Sequence, residues 1–161
     1  MPRRKIIFKR DYFYHIYNRA LNKEIIFLNN RDFIKFIFLI KIYLKKNKWI
    51  KIYAYAIIPN HFHFLISSKK SGKEISKFMG QLQRAYSMYF KLKYKENFKA
   101  KTGVTLFQGR FKSKLVKDEK YINKLVEYIK FNPIKHKLVE KIEDYIYTSN
   151  LDKFKIISKY E

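Results

Sequence analysis

Residues 57–66 read IIPNHFHFLI, and they place two histidines, His61 and His63, one residue apart in an otherwise apolar run. The whole chain has only four histidines. On a β-strand, residues i and i+2 project to the same face, so both imidazoles stand together while Phe62 packs on the other side. Two neutral imidazoles on a rigid strand make half of a divalent metal site. Read alone, the pair can equally be two hydrogen-bonding groups on a sheet surface, because motifs this short recur by chance. The chain also holds 14 tyrosines and no cysteine. Phenols are therefore plentiful as nucleophiles, while thiolate metal sites and disulfides are excluded.

The elements that must position these groups belong to a chain of 161 residues, enough for one domain over 1–161 with a single core. Hydrophobic residues make up 47%, which marks a folding sequence. Lys and Arg number 37 against 13 Asp and Glu, a net charge of +24. Such an excess opposes compaction unless a polyanion is the usual partner, and nucleic acid is the commonest one. An AT-rich genome also raises lysine, but it does not by itself suppress acids. Membrane lipid is the weaker alternative. The N-terminus is basic without the apolar stretch of a signal peptide, and the greasy run at 33–44 is short and broken by Lys35 and Lys41, a core helix and not a membrane span. Together with the absence of cysteine, this predicts a cytoplasmic protein.

Aromatic and β-branched residues at 11–18 predict a strand. Asn30 caps a helix over 31–46. Strands at 49–58 and 61–67 form a hairpin turned at Pro59 and Asn60. The pattern Ser71-x-x-Glu74 has capping-box form and opens a helix to about residue 94, with Tyr86 and Tyr89 on its apolar stripe. A basic loop at 95–103 leads to a strand or extended hairpin at 104–116. Asp118 caps a third helix that must end near Asn132, because Pro133 disfavours helical geometry before it. Residues 146–157 read as a loose closing segment. The order β-α-β-β-α-β-α predicts an α+β fold, an antiparallel sheet with helices packed on one face.

Four blocks occur in order: YHIYNRA at 14–20, AIIPNHFHFLI at 56–66, LFQGRFKSKLV at 106–116 and LVEYIKFNPIKHKLV at 125–139. Together they resemble the REP-associated tyrosine transposases and the related single-tyrosine insertion-sequence transposases of the HUH endonuclease superfamily. The resemblance implies a ferredoxin-like (RRM-like) fold with the histidine pair on a central strand. It also implies Mg²⁺- or Mn²⁺-dependent cleavage and rejoining of single-stranded DNA next to a hairpin. Members carry the nucleophile on a late helix before Asn-Pro, which matches Tyr128, and take a third metal ligand from an amide one turn later, which matches Asn132. An amide oxygen suits hard cations; without the resemblance, Asn132 could as well be a helix terminator before proline. The helical wheel is consistent with this. Ile122, Leu125, Val126 and Ile129 form the apolar centre, and Tyr128 and Asn132 lie at its edge, one turn apart. Tyr86 falls mid-stripe and so reads as core, and Tyr121 sits too early in the helix.

A tyrosine phenol, with an ordinary pKa of about 10, needs help to attack at neutral pH. The implied product is a 5′-phosphotyrosine and a free 3′-hydroxyl, an ester that another 3′-hydroxyl can reverse without ATP. Arg110, Lys112 and Lys114 alternate onto one strand face and, with Arg19, are candidate DNA contacts. His15 and His136 read as non-catalytic. A catalytically inactive hairpin-binding or single-strand-binding protein is the alternative, and a plasmid-type relaxase is disfavoured by size and block order. Oligomeric state stays open between monomer and homodimer.

Overall fold

A computed structural model describes residues 7–96 and 105–158. The sequence expectations that fall on 97–104, most of the basic loop and the first residue of the 104–116 segment, lie outside the described residues. Four strands form one fully antiparallel sheet in the order β2-β3-β1-β4: β1 (Phe13–Arg19), β2 (Ile50–Ile58), β3 (His61–Ser68) and β4 (Lys112–Val116). β3 is interior, so the histidine pair sits on a central strand. This is the α+β antiparallel sheet expected from the order of elements, and the ferredoxin-like architecture that the resemblance implies.

Helices α1 (Asn30–Lys46) and α2 (Lys73–Lys93) cover one face of the sheet. Their buried side chains, among them Phe36, Ile40, Phe78 and Leu82, meet Ile16, Phe62, Phe64 and Ile66 from the even-numbered positions of β1 and β3. Asp32 on α1 is fully buried and ties the two helices together. It accepts hydrogen bonds from Lys93 Nζ (2.6 Å), Tyr94 Oη (2.6 Å) and Tyr89 Oη (2.8 Å). Burial pushes its carboxyl pKa up, but the Lys93, Tyr94 and Tyr89 donors outweigh it and hold the carboxyl below its ordinary value.

The expectation that helices pack on one face holds for α1 and α2. Helix α3 (Glu119–Lys130) instead packs on the opposite face, where Leu125 and Ile129 meet Ala54, Ala56, Leu65 and Val116. A strand covered on both sides must be apolar on both sides, which is why β2 reads IKIYAYAII with little alternation. The small Ala54 and Ala56 leave room for α3. Asp118 caps α3 as expected, its carboxylate accepting from Tyr121 N at 2.7 Å. Asn29, not Asn30, caps α1, accepting from Asp32 N. Ser71 gives no side-chain cap. The N-cap of α2 is Gly72, whose bare Cα lies against the Phe8 backbone, 2.0 Å from where a Cβ would stand. Residues 146–149 run along the free edge of β2, with Ile57 N bonded to Tyr147 O and Ser149 N to Tyr55 O. The closing segment thus shields an edge that would otherwise expose unpaired backbone.

Candidate active site

The face of the sheet that carries α3 also carries every histidine of the chain. His61 and His63 project there from β3, their ring centroids 5.1 Å apart. Strand alternation brings His15, Tyr17 and Arg19 of β1 to the same face, with Tyr17 paired to His63 and Arg19 to His61. His15 Nε2 lies 2.9 Å from His63 Nδ1, a buried contact in which one imidazole donates to the other. Beyond α3, a short helix α4 (Asn132–Lys135) ends at His136, whose ring stands 4.7 Å from His61.

Tyr128 reaches this cluster from α3. Its ring packs edge-on, 5.9 Å from His63 and 6.2 Å from His15 by centroid. It remains 40% exposed, so its hydroxyl is open to a substrate. Lys135 Nζ lies 4.7 Å over the ring and 3.4 Å from the hydroxyl oxygen, positioned to stabilise negative charge on it. Tyr86 points into the core, fully buried, and its hydroxyl donates to Ile26 O at 2.6 Å. Tyr121 is 45% exposed and lies a full turn and more away along α3.

Asn132 differs from the expected arrangement. α3 ends at Lys130 with Phe131 as its cap, and Asn132 opens the separate helix α4 behind it. The side chain is fully buried, and neither Oδ1 nor Nδ2 forms a hydrogen bond. Asn132 is near enough to His61 to favour its charged form, but without good hydrogen-bond geometry. A buried amide with both atoms unpaired costs ~1–3 kcal/mol per group and calls for an explanation.

The histidines are held neutral. Burial drives His61 down to about 4, with His136, Arg19 and Lys135 adding to it. Burial likewise lowers His15 to about 4, helped by Lys114, and lowers His63 still more clearly, helped by His15, His61 and His136. His61 Nδ1 lies 2.6 Å from Asn60 Oδ1, and with the proton on Nδ1 the Nε2 atom carries the lone pair. Among the described residues no three His, Asp or Glu side chains gather at metal-ligating spacing. His61, His63 and Asn132 offer two neutral nitrogens and one unsatisfied oxygen, a donor set that fits a hard or borderline divalent ion.

The candidate DNA contacts divide between the two faces. Lys112 pairs with Tyr17 and Lys114 with His15, so both border the histidines, as does Arg19. The Arg19 guanidinium donates to Gln108 Oε1. Arg110 does not share their strand face: Gly109, at φ +69°, turns the chain, and β4 begins only at Lys112. His15 and His136, which the sequence presents as non-catalytic, and Lys135, which no motif singles out, all stand at the cluster. The alternation of β1 does put His15 with Tyr17 and Arg19, but which strand they meet depends on a register between segments some 48 residues apart, for which the sequence has no local signal.

Residues 8–132 match the IS200-like transposase family. A REP-associated tyrosine transposase from Haemophilus influenzae is 28% identical over 106 residues, covering 60% of this chain and only 56% of that protein. Among solved structures, a REP-associated tyrosine transposase bound to a REP hairpin superposes with a TM-score of 0.72 at 17% identity, over 96% of this chain and 86% of that one. A transposase from Deinococcus radiodurans gives 0.52 at 15% identity, over 80% and 95%. Those two likenesses establish the fold. With the family match spanning most of the sequence, the chain belongs to the IS200-like transposase family.

Proposed function

We propose that this transposase is a divalent-metal-dependent endonuclease and strand transferase for single-stranded DNA beside a hairpin, with Tyr128 as its nucleophile. One observation carries the reading: the exposed Tyr128 ring stands edge-on to the buried imidazoles of His15 and His63, next to His61 on the same face. The Tyr128 oxygen attacks the scissile phosphorus, forming the phosphotyrosine bond as the P–O3′ bond breaks. The phenol proton passes to solvent and the departing 3′-oxygen takes up another, so charge and atoms balance. Lys135 Nζ faces the attacking oxygen, and Arg19, Lys112 and Lys114 hold the flanking phosphates. His61, His63 and Asn132 would hold Mg²⁺ or Mn²⁺, which supplies Lewis-acid polarisation of the phosphate when bound. For His63 to ligate through Nε2, its Nδ1 must carry the proton and give it to His15 Nε2, so His15 orients it. The tyrosine helix packs on the sheet that carries the histidine pair, so one chain holds every residue named here.

The test uses hairpin oligonucleotides copied from inverted repeats beside the gene, incubated with Mn²⁺ or Mg²⁺. Replacing His61 and His63 together with alanine should abolish cleavage and leave hairpin binding within about threefold, since the phosphate contacts remain. A double variant that cuts as well as the parent would remove the metal from the account. Binding by the parent without cleavage on any such hairpin would favour the inactive binding protein.

A further inference from the structure

On the face of the sheet away from the histidines, a cleft of about 720 Å³ opens between α2 and residues 105–111. Lys73, Arg84, Lys91 and Arg110 stand on its walls, and none of the described lining residues is acidic. Its floor is apolar, with Phe107 and Phe111 largely buried beneath it. Cations around an aromatic floor match single-stranded nucleic acid, whose phosphates meet the charges while its bases leave water. Helix α2 adds an independent feature. Gly80 lies mid-helix and lines the cleft. A Cβ built there meets no atom within 4 Å. Packing inside the protein therefore does not require glycine, which costs a helix interior ~1 kcal/mol relative to alanine. A bare position lets a ligand approach the helix backbone closely.

We infer that this cleft takes one or two unpaired nucleotides of the DNA strand, a second subsite that rests on the function proposed above. Its volume lies in the ~300–1,000 Å³ range of small-ligand sites, which suits an extruded or flanking nucleotide. The subsite is connected to the histidine face across one strand. Asn18 and Arg19 are neighbours on β1 and point to opposite faces. Asn18 Nδ2 donates to Gln83 Oε1 (3.3 Å) and Gly109 O (3.1 Å) at the cleft, while Arg19 stands beside His61. A strand crossing the 105–111 segment thus has cations on both sides: Arg110 on one, Arg19 and Lys112 on the other.

The probe is a fluorescein-labelled single strand of fifteen thymidines, with a duplex of the same length as control, read by fluorescence anisotropy. Gly80→Leu fills open space and raises helix propensity, so the variant should melt no lower than the parent. It should lose about tenfold or more in affinity for the single strand and change by less than twofold on the duplex. Arg84→Glu, an exposed-rim change that needs no refolding, should lower single-strand affinity by a larger factor than duplex affinity. Unchanged single-strand binding in both variants overturns the subsite, as do equal losses on the two DNAs. Failure of the parent itself to bind either DNA overturns the proposed function, a result distinct from the other two.

Discussion

At the scale of single residues, Asn132 carries the most information, because the folded protein tolerates a buried amide with nothing bonded to it. If its role were structural, removing it would cost stability. If it waits for a ligand, removal also deletes two unsatisfied groups, and the loss of packing is offset. Asn132→Ala should therefore shift the stability of the metal-free protein by no more than about 1 kcal/mol in urea denaturation. The same variant should weaken Mn²⁺ binding about tenfold by calorimetry. A stability loss above about 2 kcal/mol with Mn²⁺ affinity unchanged would make Asn132 a structural residue. Lys135 and His15 extend the same logic, one beside the phenol oxygen and one beside His63, and each touches a group that the proposed chemistry uses.

At the scale of elements, α1 and α2 are joined through Asp32, and that junction gives a prediction independent of function. Asp32→Ala should cost about 3 kcal/mol, because it leaves Lys93, Tyr89 and Tyr94 without their shared acceptor. The pH dependence has a definite sign. The folded carboxyl lies below the unfolded value of about 3.9, so its contribution is present above that value and is lost as pH falls through the folded one. A plot of urea midpoint against pH should fall below about pH 4 more steeply for the parent than for Asp32→Asn, and parallel curves would contradict this. Local signals made much of the fold legible: the aromatic strand at β1, the hairpin at Pro59-Asn60, the Asp118 cap and the stop before Pro133. Long-range packing decided the rest. The same-face placement of His15 and His63 depends on the β1–β3 register, and the choice of face for α3 depends on the space left by Ala54 and Ala56. Ser71 resembles a cap, but the close approach of Phe8 gave that position to Gly72. The break at Phe131 that makes Asn132 the start of α4 carries no signal beyond the proline.

At the scale of the whole molecule, a charge of +24 surrounds a site with neutral histidines at its centre. Association with single-stranded DNA should fall steeply with salt, log K dropping by ~0.7 for each phosphate neutralised. Arg110→Ala should lower affinity and reduce that slope by about one contact, measured by anisotropy across a salt series. A flat response would point away from nucleic acid as the main partner. Among the described residues no helix is long and apolar enough to cross a membrane.

In the proposed reaction one phenol oxygen among fourteen forms the bond to DNA. Incubation with hairpin DNA and Mn²⁺ should leave a covalent adduct that survives denaturing electrophoresis, and mass spectrometry should map the nucleotide to the peptide containing Tyr128. Tyr128→Phe removes only an exposed hydroxyl and should fold as the parent does, yet give neither adduct nor cleavage. Tyr86→Phe, which loses a buried hydrogen bond worth about 1 kcal/mol, should retain both. An adduct on any other tyrosine, or cleavage persisting in Tyr128→Phe, would contradict the account.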